Sequence, residues 1–211
     1  MNTGLPTAPL ASGLIRAGGG AVDNPCNGAS TTRSRSTYLS PGRVQTSGAT
    51  SASQYRVTAQ GREVRSWDQP LVRSDGVGRI VLACQRRGGV LKFLVHAEHE
   101  PGYLEGVQLS PSVSLPPGEA LARRDKVRAQ LCEMIDEGRR ARVHLCCRQS
   151  EEGGRFYQDE NVYQVAEIDG EIPLSPLYRW LTLRQIRELS ATPGALTIEL
   201  RCALSLLLSL C

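Results

Sequence analysis

An α+β domain, with a mixed and mostly antiparallel sheet flanked by helices, is what this 211-residue sequence predicts, and three observations predict it. Residues 79–87 and 90–97 are apolar runs joined by Gly88-Gly89, a pair suited to the positive φ values of a tight hairpin turn. Residues 119–137 place Leu121, Val127, Leu131 and Met134 at near-helical spacing with charges between them. Residues 1–53, in contrast, mix Gly, Ser, Thr, Ala and Pro, including Gly18-Gly19-Gly20, with neither periodicity. Such a segment buries too little apolar surface to offset its ordering entropy, so it reads as a disordered tail before a domain over 54–211.

In chain order, the first hairpin gives two antiparallel strands, and the helix after it stops at Gly138, a residue suited to a left-handed C-terminal position. Residues 142–148 alternate, with Val143, Leu145 and Cys147 on one side. After Gly153-Gly154 the chain resumes with Phe156 and then 162–168, so a second hairpin is expected. Thr182-Leu183-Arg184-Gln185 has capping-box spacing, in which hydroxyl and amide each satisfy an orphaned backbone N–H and start a short helix. A last helix is expected over 197–208, with an apolar stretch over 202–211. That stretch is too short for a hydrocarbon core, which needs about twenty residues.

The net charge of +4 is a mild bias. The basic residues are nearly all arginine, with Lys92 and Lys126 the only lysines, and they are interspersed with acids, which argues against a nucleic-acid footprint. Cys26, Cys84, Cys132, Cys146, Cys147, Cys202 and Cys211 form an odd set with no paired spacing and no secretory signal before them. Reduced thiols in a cytoplasmic protein, with no membrane span, are expected.

Strand parity places Lys92, His96, Glu98 and Glu100 on one face and Phe93, Val95 and Ala97 on the other. His96 or Glu100 could therefore face a ligand as a base, or the whole face could be solvated with Glu100 capping the Pro101-Gly102 turn. His96 and His99, three apart, point to opposite sides of a strand and make no metal pair. Glu152-Gly153-Gly154-Arg155 makes a good hairpin turn whatever its function. Trp67 is either core or a stacking surface, while Trp180 reads as a packing anchor where a strand meets a helix. Cys146 and Cys147 read as small apolar strand residues.

Four segments carry a resemblance. They are Ser66-Trp67-Asp68-Gln69-Pro70-Leu71; Glu100-Pro101-Gly102 with Val107-Gln108-Leu109-Ser110-Pro111-Ser112-Val113-Ser114; Ser150-Glu151-Glu152-Gly153-Gly154-Arg155-Phe156-Tyr157 leading to Asn161-Val162-Tyr163; and Tyr178-Arg179-Trp180-Leu181-Thr182-Leu183-Arg184-Gln185. A weaker match over 197–204 ends in Arg201-x-x-Leu204. In this order they resemble the NDP-4-keto-6-deoxyhexose 2,3-dehydratase family. The resemblance implies a Nudix-like fold, one repeat of a usual two, and a dTDP-sugar substrate handled without cofactor or metal. It also implies a homodimer, or pairing with a related repeat.

In a 4-keto sugar the C3 proton is acidic because its carbanion delocalises onto the C4 carbonyl, so a base, an acid and an oxyanion partner suffice to expel the C2 hydroxyl. Carried over, the resemblance implies Glu100, His96 and Tyr163 as catalytic candidates. Trp67, Gln69, Ser112, Ser114, Glu152, Arg155, Asn161 and Arg201 become the substrate-binding candidates, with Arg155 on phosphate or sugar. The family's usual Pro-Thr-Val-Gln reads Pro111-Ser112-Val113-Ser114 here, which favours the alternative of a non-catalytic repeat that binds nucleotide sugar or a partner. A metal-dependent hydrolase of the same fold needs paired carboxylates on a helix, and Glu133, Asp136 and Glu137 lack that spacing.

Overall fold

A computed structural model describes residues 43–45, 50–58, 63–104, 106–117 and 125–207. Strands β1 (Arg43–Gln45), β2 (Thr50–Thr58) and β3 (Ser66–Ser74) form an antiparallel ribbon in the order β1-β2-β3. The expected boundary at 53/54 falls inside β2, which pairs with β3 from Thr50↔Ser74 to Thr58↔Ser66. Composition conceals this strand because its sequence is TSASQYRVT, with Tyr55 as its buried residue. β3 likewise escapes a periodicity reading: Pro70 sits in its middle, which only an edge strand tolerates. The rest of the 1–53 tail, residues 1–42 and 46–49, lies outside the described residues.

The main sheet contains β4 (Gly78–Arg87), β5 (Val90–Glu98), β6 (Gln108–Pro111), β7 (Val113–Leu115), β8 (Ala141–Ser150), β9 (Glu160–Ile168) and β10 (Tyr178–Thr182). Its path is β10-β5-β4-β9-β8, with β6 on β5 and β7 on β4. Gly88 and Gly89 turn the first hairpin at φ 60° and 78°, as expected. β8 and β9 form the second hairpin, while β4 and β9 run parallel from Gly78↔Asn161 to Cys84↔Glu167. The sheet is therefore mixed and mostly antiparallel.

Three helices flank it among the described residues: α1 (Lys126–Glu137), α2 (Leu183–Ser190) and α3 (Ile198–Leu207). α1 is capped by the Asp125 carboxylate on Arg128 N and ends on Gly138 at φ 65°. The expected earlier turns of this helix, including Leu121, lie outside the described residues. The capping box of Thr182 and Gln185 starts α2, and Thr197 Oγ1 accepts from Leu200 N at the start of α3. One face of the sheet buries Val81, Ala83, Leu94, Ala166 and Tyr178 under Val127, Leu131 and Met134 of α1. The other buries Ile80, Leu82, Phe93, Val95, Tyr163 and Val165 against Ile186 of α2 and Leu200 and Ala203 of α3.

Two irregularities shape this frame. β4 and β5 diverge beyond Cys84↔Phe93, and β6 and β7 enter the fork from either side of Ser112. The Ser112 hydroxyl accepts from Ala83 N at 2.9 Å and donates to Leu94 O at 2.6 Å, replacing the ladder bond lost at the split. In β8 the register slips between Val143 and Leu145. The expected single face of Val143, Leu145 and Cys147 is thus broken: Val143 is 39% exposed, whereas Leu145 and Cys147 pack on the α3 side. An inserted residue reverses strand parity, which alternation alone cannot reveal.

Trp180 is the packing anchor expected of it, lying against the α1-side core with the Arg87 guanidinium 5.2 Å from its ring centroid. Cys84, Cys132, Cys147 and Cys202 are free thiols. Cys146 is disulfide-bonded, against the expectation of a fully reduced set; such pairing is set by the fold and not by spacing. Cys26 and Cys211 lie outside the described residues. No helix among the described residues is long and apolar enough to cross a membrane.

Candidate active site

Where the parallel strands β4 and β9 begin, the ribbon and the β8–β9 connection enclose a cavity of about 220 Å³. Its walls include Val72 and Ser74 of β3, Ile80 of β4, Ser114 of β7, Phe156 of the connection and Glu199 of α3. The ribbon is clamped to that connection by backbone bonds from Val72 N to Arg155 O (2.8 Å) and from Tyr157 N to Val72 O (2.7 Å). Tyr55 stacks on Tyr157 with ring centroids 4.4 Å apart. Asp159, buried, accepts from both Ser74 N (2.9 Å) and Ser74 Oγ (2.7 Å), closing the far side.

Three carboxylates, Glu151, Asp159 and Glu199, line this cavity. Glu151 accepts a hydrogen bond from Asn161 Nδ2. Asn161 is buried beside Gly78, where a Cβ would come within 1.8 Å of Asn161 Oδ1, so the glycine makes room for the amide that holds the acid. Burial pushes the Glu151 pKa up, as do Glu199, Asp159 and Glu152, while the Asn161 bond works against them. Beside it, the buried Tyr163 phenol is raised by desolvation and by Cys202, Glu151 and Glu199. A carboxyl with a raised pKa next to a phenol that keeps its proton is an arrangement suited to proton transfer.

The predicted residues divide around this cavity. Ser114 and Asn161 line it, and Tyr163 adjoins it. Trp67, Gln69 and Arg155 gather at the ribbon side: Trp67 Nε1 donates to Gln69 Oε1 at 2.8 Å, and Gln69 Nε2 donates to Gly154 O. Arg155 is exposed, with its guanidinium 5.7 Å from the ring centroid of Phe156, a wall residue. Glu152 is exposed, and its carbonyl accepts from Phe156 N at 3.2 Å to close the turn. Ser112 is fully buried at the strand fork, with both hydrogen-bonding directions engaged by backbone. Arg201 is exposed on α3 and turns back to the Thr197 carbonyl at 3.4 Å.

His96 and Glu100 are not brought to this cavity. Glu100 is exposed in the turn after β5 and acts on Tyr103, whose pKa is pushed up to about 12 by burial and by Glu100, Glu98 and Glu199. His96 shares the α1 side with Leu94, opposite Tyr163, and is buried, not solvated. Its ring centroid lies 4.7 Å from that of Tyr178, and its Nδ1 is 3.4 Å from Arg128 Nη2. Tyr178 donates to Asp125 Oδ2 at 2.9 Å, and Arg128 lies between Asp125 (3.1 Å), Glu98 (3.5 Å) and the Ser114 carbonyl (3.1 Å). Arg128 Nε is close to Asp125 without being aimed at it, so that contact is charge attraction alone. Burial first, then Arg128, lowers the His96 pKa. Parity correctly separated the two sides of β5, but α1 covers the polar one, and sequence spacing could not place that helix.

Sequence reading missed Glu151 and Glu199. Glu151 stood in a motif already singled out, one position from the exposed Glu152. The usable signal was its place as the last residue before the turn, where Glu151 N pairs with Asp159 O at 2.9 Å and the chain still has strand direction. On α1, Asp136 and Glu137 are each drawn to an arginine, Arg79 at 2.8 Å and Arg139 at 3.2 Å, so the helix carboxylates do not converge.

Comparison with known proteins agrees with this frame. An ADP compounds hydrolase of known structure is 15% identical and covers 85% of this chain and 96% of its own, with a TM-score of 0.51, a likeness of fold alone. The NUDIX domain of Shewanella oneidensis NrtR is also similar, at 13% identity over 65% of this chain and 90% of its own, with a TM-score of 0.38. The α+β fold is thus shared with the ADP compounds hydrolase. A dTDP-4-dehydro-6-deoxy-alpha-D-glucopyranose 2,3-dehydratase of Saccharopolyspora spinosa is 34% identical over 156 residues, covering 73% of this chain and 32% of that protein. The enzyme of the same description from Amycolatopsis orientalis is 31% identical over 149 residues, covering 71% and 32%. The chain thus spans about a third of the curated relatives it matches. The family model for NDP-hexose 2,3-dehydratase matches residues 47–207, and the chain belongs to that family.

Proposed function

We propose that this chain is one repeat of a dTDP-4-keto-6-deoxyhexose 2,3-dehydratase whose reacting centre is the carboxylate-lined cavity. The observation that carries the reading is Glu151, raised in pKa, held by Asn161 and adjoining the protonated Tyr163. Glu151 takes the C3 proton; the C3–H electrons pass into an enolate whose O4 is met by the Tyr163 phenol. When the C4 carbonyl re-forms, C2=C3 forms and the C2 oxygen leaves as water with a proton returned from an acid. A carboxyl whose pKa is raised is a stronger base for the C3 proton, and the acid it becomes can return that proton. The acidic walls repel a diphosphate, so the sugar occupies the cavity while the diphosphate lies at the rim toward Arg155.

The motif roles become proposals on this frame: Ser114 and Asn161 in the cavity wall, Trp67, Gln69, Glu152 and Arg155 along the ribbon rim. Pairing with a second copy or a related repeat belongs to this reading, because the family resemblance implies a unit of two repeats. A species that stays monomeric in sedimentation while binding nucleotide sugar removes that part. We place the chain in the cytoplasm, where the free thiols Cys84, Cys132, Cys147 and Cys202 stay reduced, although the bonded Cys146 counts against this placement.

The test is incubation with the dTDP-4-keto sugar in deuterium oxide, following C3 exchange and loss of the C2 hydroxyl by NMR. Exchange that disappears in Glu151→Gln is expected. Intact binding of thymidine diphosphate with neither exchange nor elimination in the parent chain leaves the second reading, a binding repeat without chemistry, which the altered Pro111-Ser112-Val113-Ser114 segment favours.

A further inference from the structure

A cleft of about 430 Å³ lies at the opposite end of β4 and β9 from the candidate active site. Five to six strand residues separate the two, roughly 20 Å. Four arginines line it, Arg86 at the end of β4, Arg139 and Arg140 in the turn leaving α1, and Arg142 in β8, against two carboxylates, Glu167 and Asp169. Gly138 at φ 65° reverses the chain after α1 and so delivers Arg139 and Arg140 to this end of the sheet.

The four guanidiniums are not equally occupied. Arg139 lies 3.2 Å from Glu137. Arg140 is positioned: Asp169 N donates to its carbonyl at 2.8 Å, and its Nε donates to Asp169 O at 3.3 Å. Its guanidinium packs so closely on Gly170 (φ 93°) that a Cβ there would come within 1.9 Å of Nη2. Glu167 is turned to His144, 2.9 Å away. Arg86 and Arg142 have no hydrogen bond or ion pair among the described residues. Two planar forks without partners, one fixed fork beside them and a positive balance make a receptor for an anion with several oxygens.

We propose that this cleft is a diphosphate-binding site, separate from the candidate active site and independent of the dehydratase reading. The volume falls within the range of about 300–1000 Å³ usual for small-molecule sites. Among the described residues its lining has no aromatic side chain to stack a base, with Ala141 and Ile168 beside the polar groups. The site therefore reads the diphosphate and is indifferent to a nucleoside attached to it. Inorganic pyrophosphate and ADP bind alike, orthophosphate binds more weakly, and added salt weakens all three.

Calorimetric titration of the full chain with pyrophosphate tests this in an Arg155→Gln background, which removes the rim arginine, with and without the Arg86→Gln/Arg142→Gln double variant. Binding that persists in Arg155→Gln and weakens about tenfold or more on adding the double variant is expected, as the loss of charge-assisted hydrogen bonds implies. No binding by Arg155→Gln at millimolar pyrophosphate, or equal affinity with and without the double variant, would each overturn the proposal. Should the double variant fail to fold, amide shift mapping on the parent decides. Shifts at Arg140, Arg142 and Asp169 support the site, and shifts confined to Gly153, Gly154 and Arg155 refute it.

Discussion

Both faces of the sheet bury a cluster of ionisable groups, and the two differ in how their charges balance. Under α1, Arg128 stands between Asp125 and Glu98, with Tyr178 bonded to Asp125 and the His96 ring packed on Tyr178. Opposite charges meet there, and Leu94 and Tyr178 continue directly into core. Toward the ribbon, Glu151, Asp159 and Glu199 come together with no cation among the described residues of the cavity wall. Balanced charges fasten a helix to a sheet; like charges beside a cavity hold a proton that can be moved. This contrast is the physical ground for proposing the ribbon-side cluster, and not the one under α1, as the reactive one.

The largest effect expected from breaking this contrast is on chemistry. Glu151→Gln keeps the volume and an acceptor for Asn161 but cannot take a proton, so C3 exchange and elimination should fall about 10²–10⁴-fold, the usual worth of a positioned acid–base group. His96→Gln on the other face should leave the exchange rate within a few-fold. Equal losses from the two substitutions would erase the distinction drawn between the faces.

Next in size is stability on the α1 side. Arg128→Met removes the cation that Asp125 and Glu98 share, and uncompensated buried charge costs roughly 3–5 kcal/mol. Urea unfolding should show that loss, and the folded fraction should retain its exchange activity. Replacing Arg128, Asp125 and Glu98 together with apolar residues should recover most of the stability. Failure to recover would mean that the ion cluster does more than hold α1. A smaller loss, about 1–3 kcal/mol, is expected for Ser112→Ala, which leaves Ala83 N and Leu94 O unsatisfied at the strand fork, whereas Ser112→Thr keeps the hydroxyl. Urea titrations in which alanine and threonine behave alike would remove Ser112 from its stitching role.

These clusters also show what a sequence can and cannot display. The Gly88-Gly89 hairpin, the Thr182 and Gln185 capping box and the start of α3 at Thr197 are local, so their residues carried them openly. β2 was hidden because its partner, not its composition, makes it a strand. The β8 slip at Val143 and Leu145 was hidden because one added residue inverts a parity that reads as regular. Of the candidate site, Asn161 and Tyr163 were legible through their motif, but Glu151 was passed over for Glu152. Only the pairing of Glu151 N with Asp159 O separates a residue inside the fold from one in the turn. His96 was placed on the correct side of β5 and assigned the wrong surroundings, since the cover comes from a helix 30 residues downstream in the chain.

The subtlest consequence concerns pH and runs against intuition for a catalytic acid. Burial, then Glu199, with Asp159 and Glu152, raises the folded-state pKa of Glu151, and Asn161 offsets only part of this. The unfolded chain should titrate at this residue near about 4.3, so between that value and the folded pKa the native state binds the extra proton. Stability from this group is therefore full below the unfolded value and is lost as pH rises through the folded one. Glutamine mimics the protonated acid at every pH, so melting temperatures of the parent and Glu151→Gln should coincide at low pH and separate above it, the inactive variant being the more stable. Thermal melts in which the variant is less stable at neutral pH would mean that the folded state favours the carboxylate. Glu151 would then belong with the balanced cluster under α1, and the difference between the two faces would lose its physical basis.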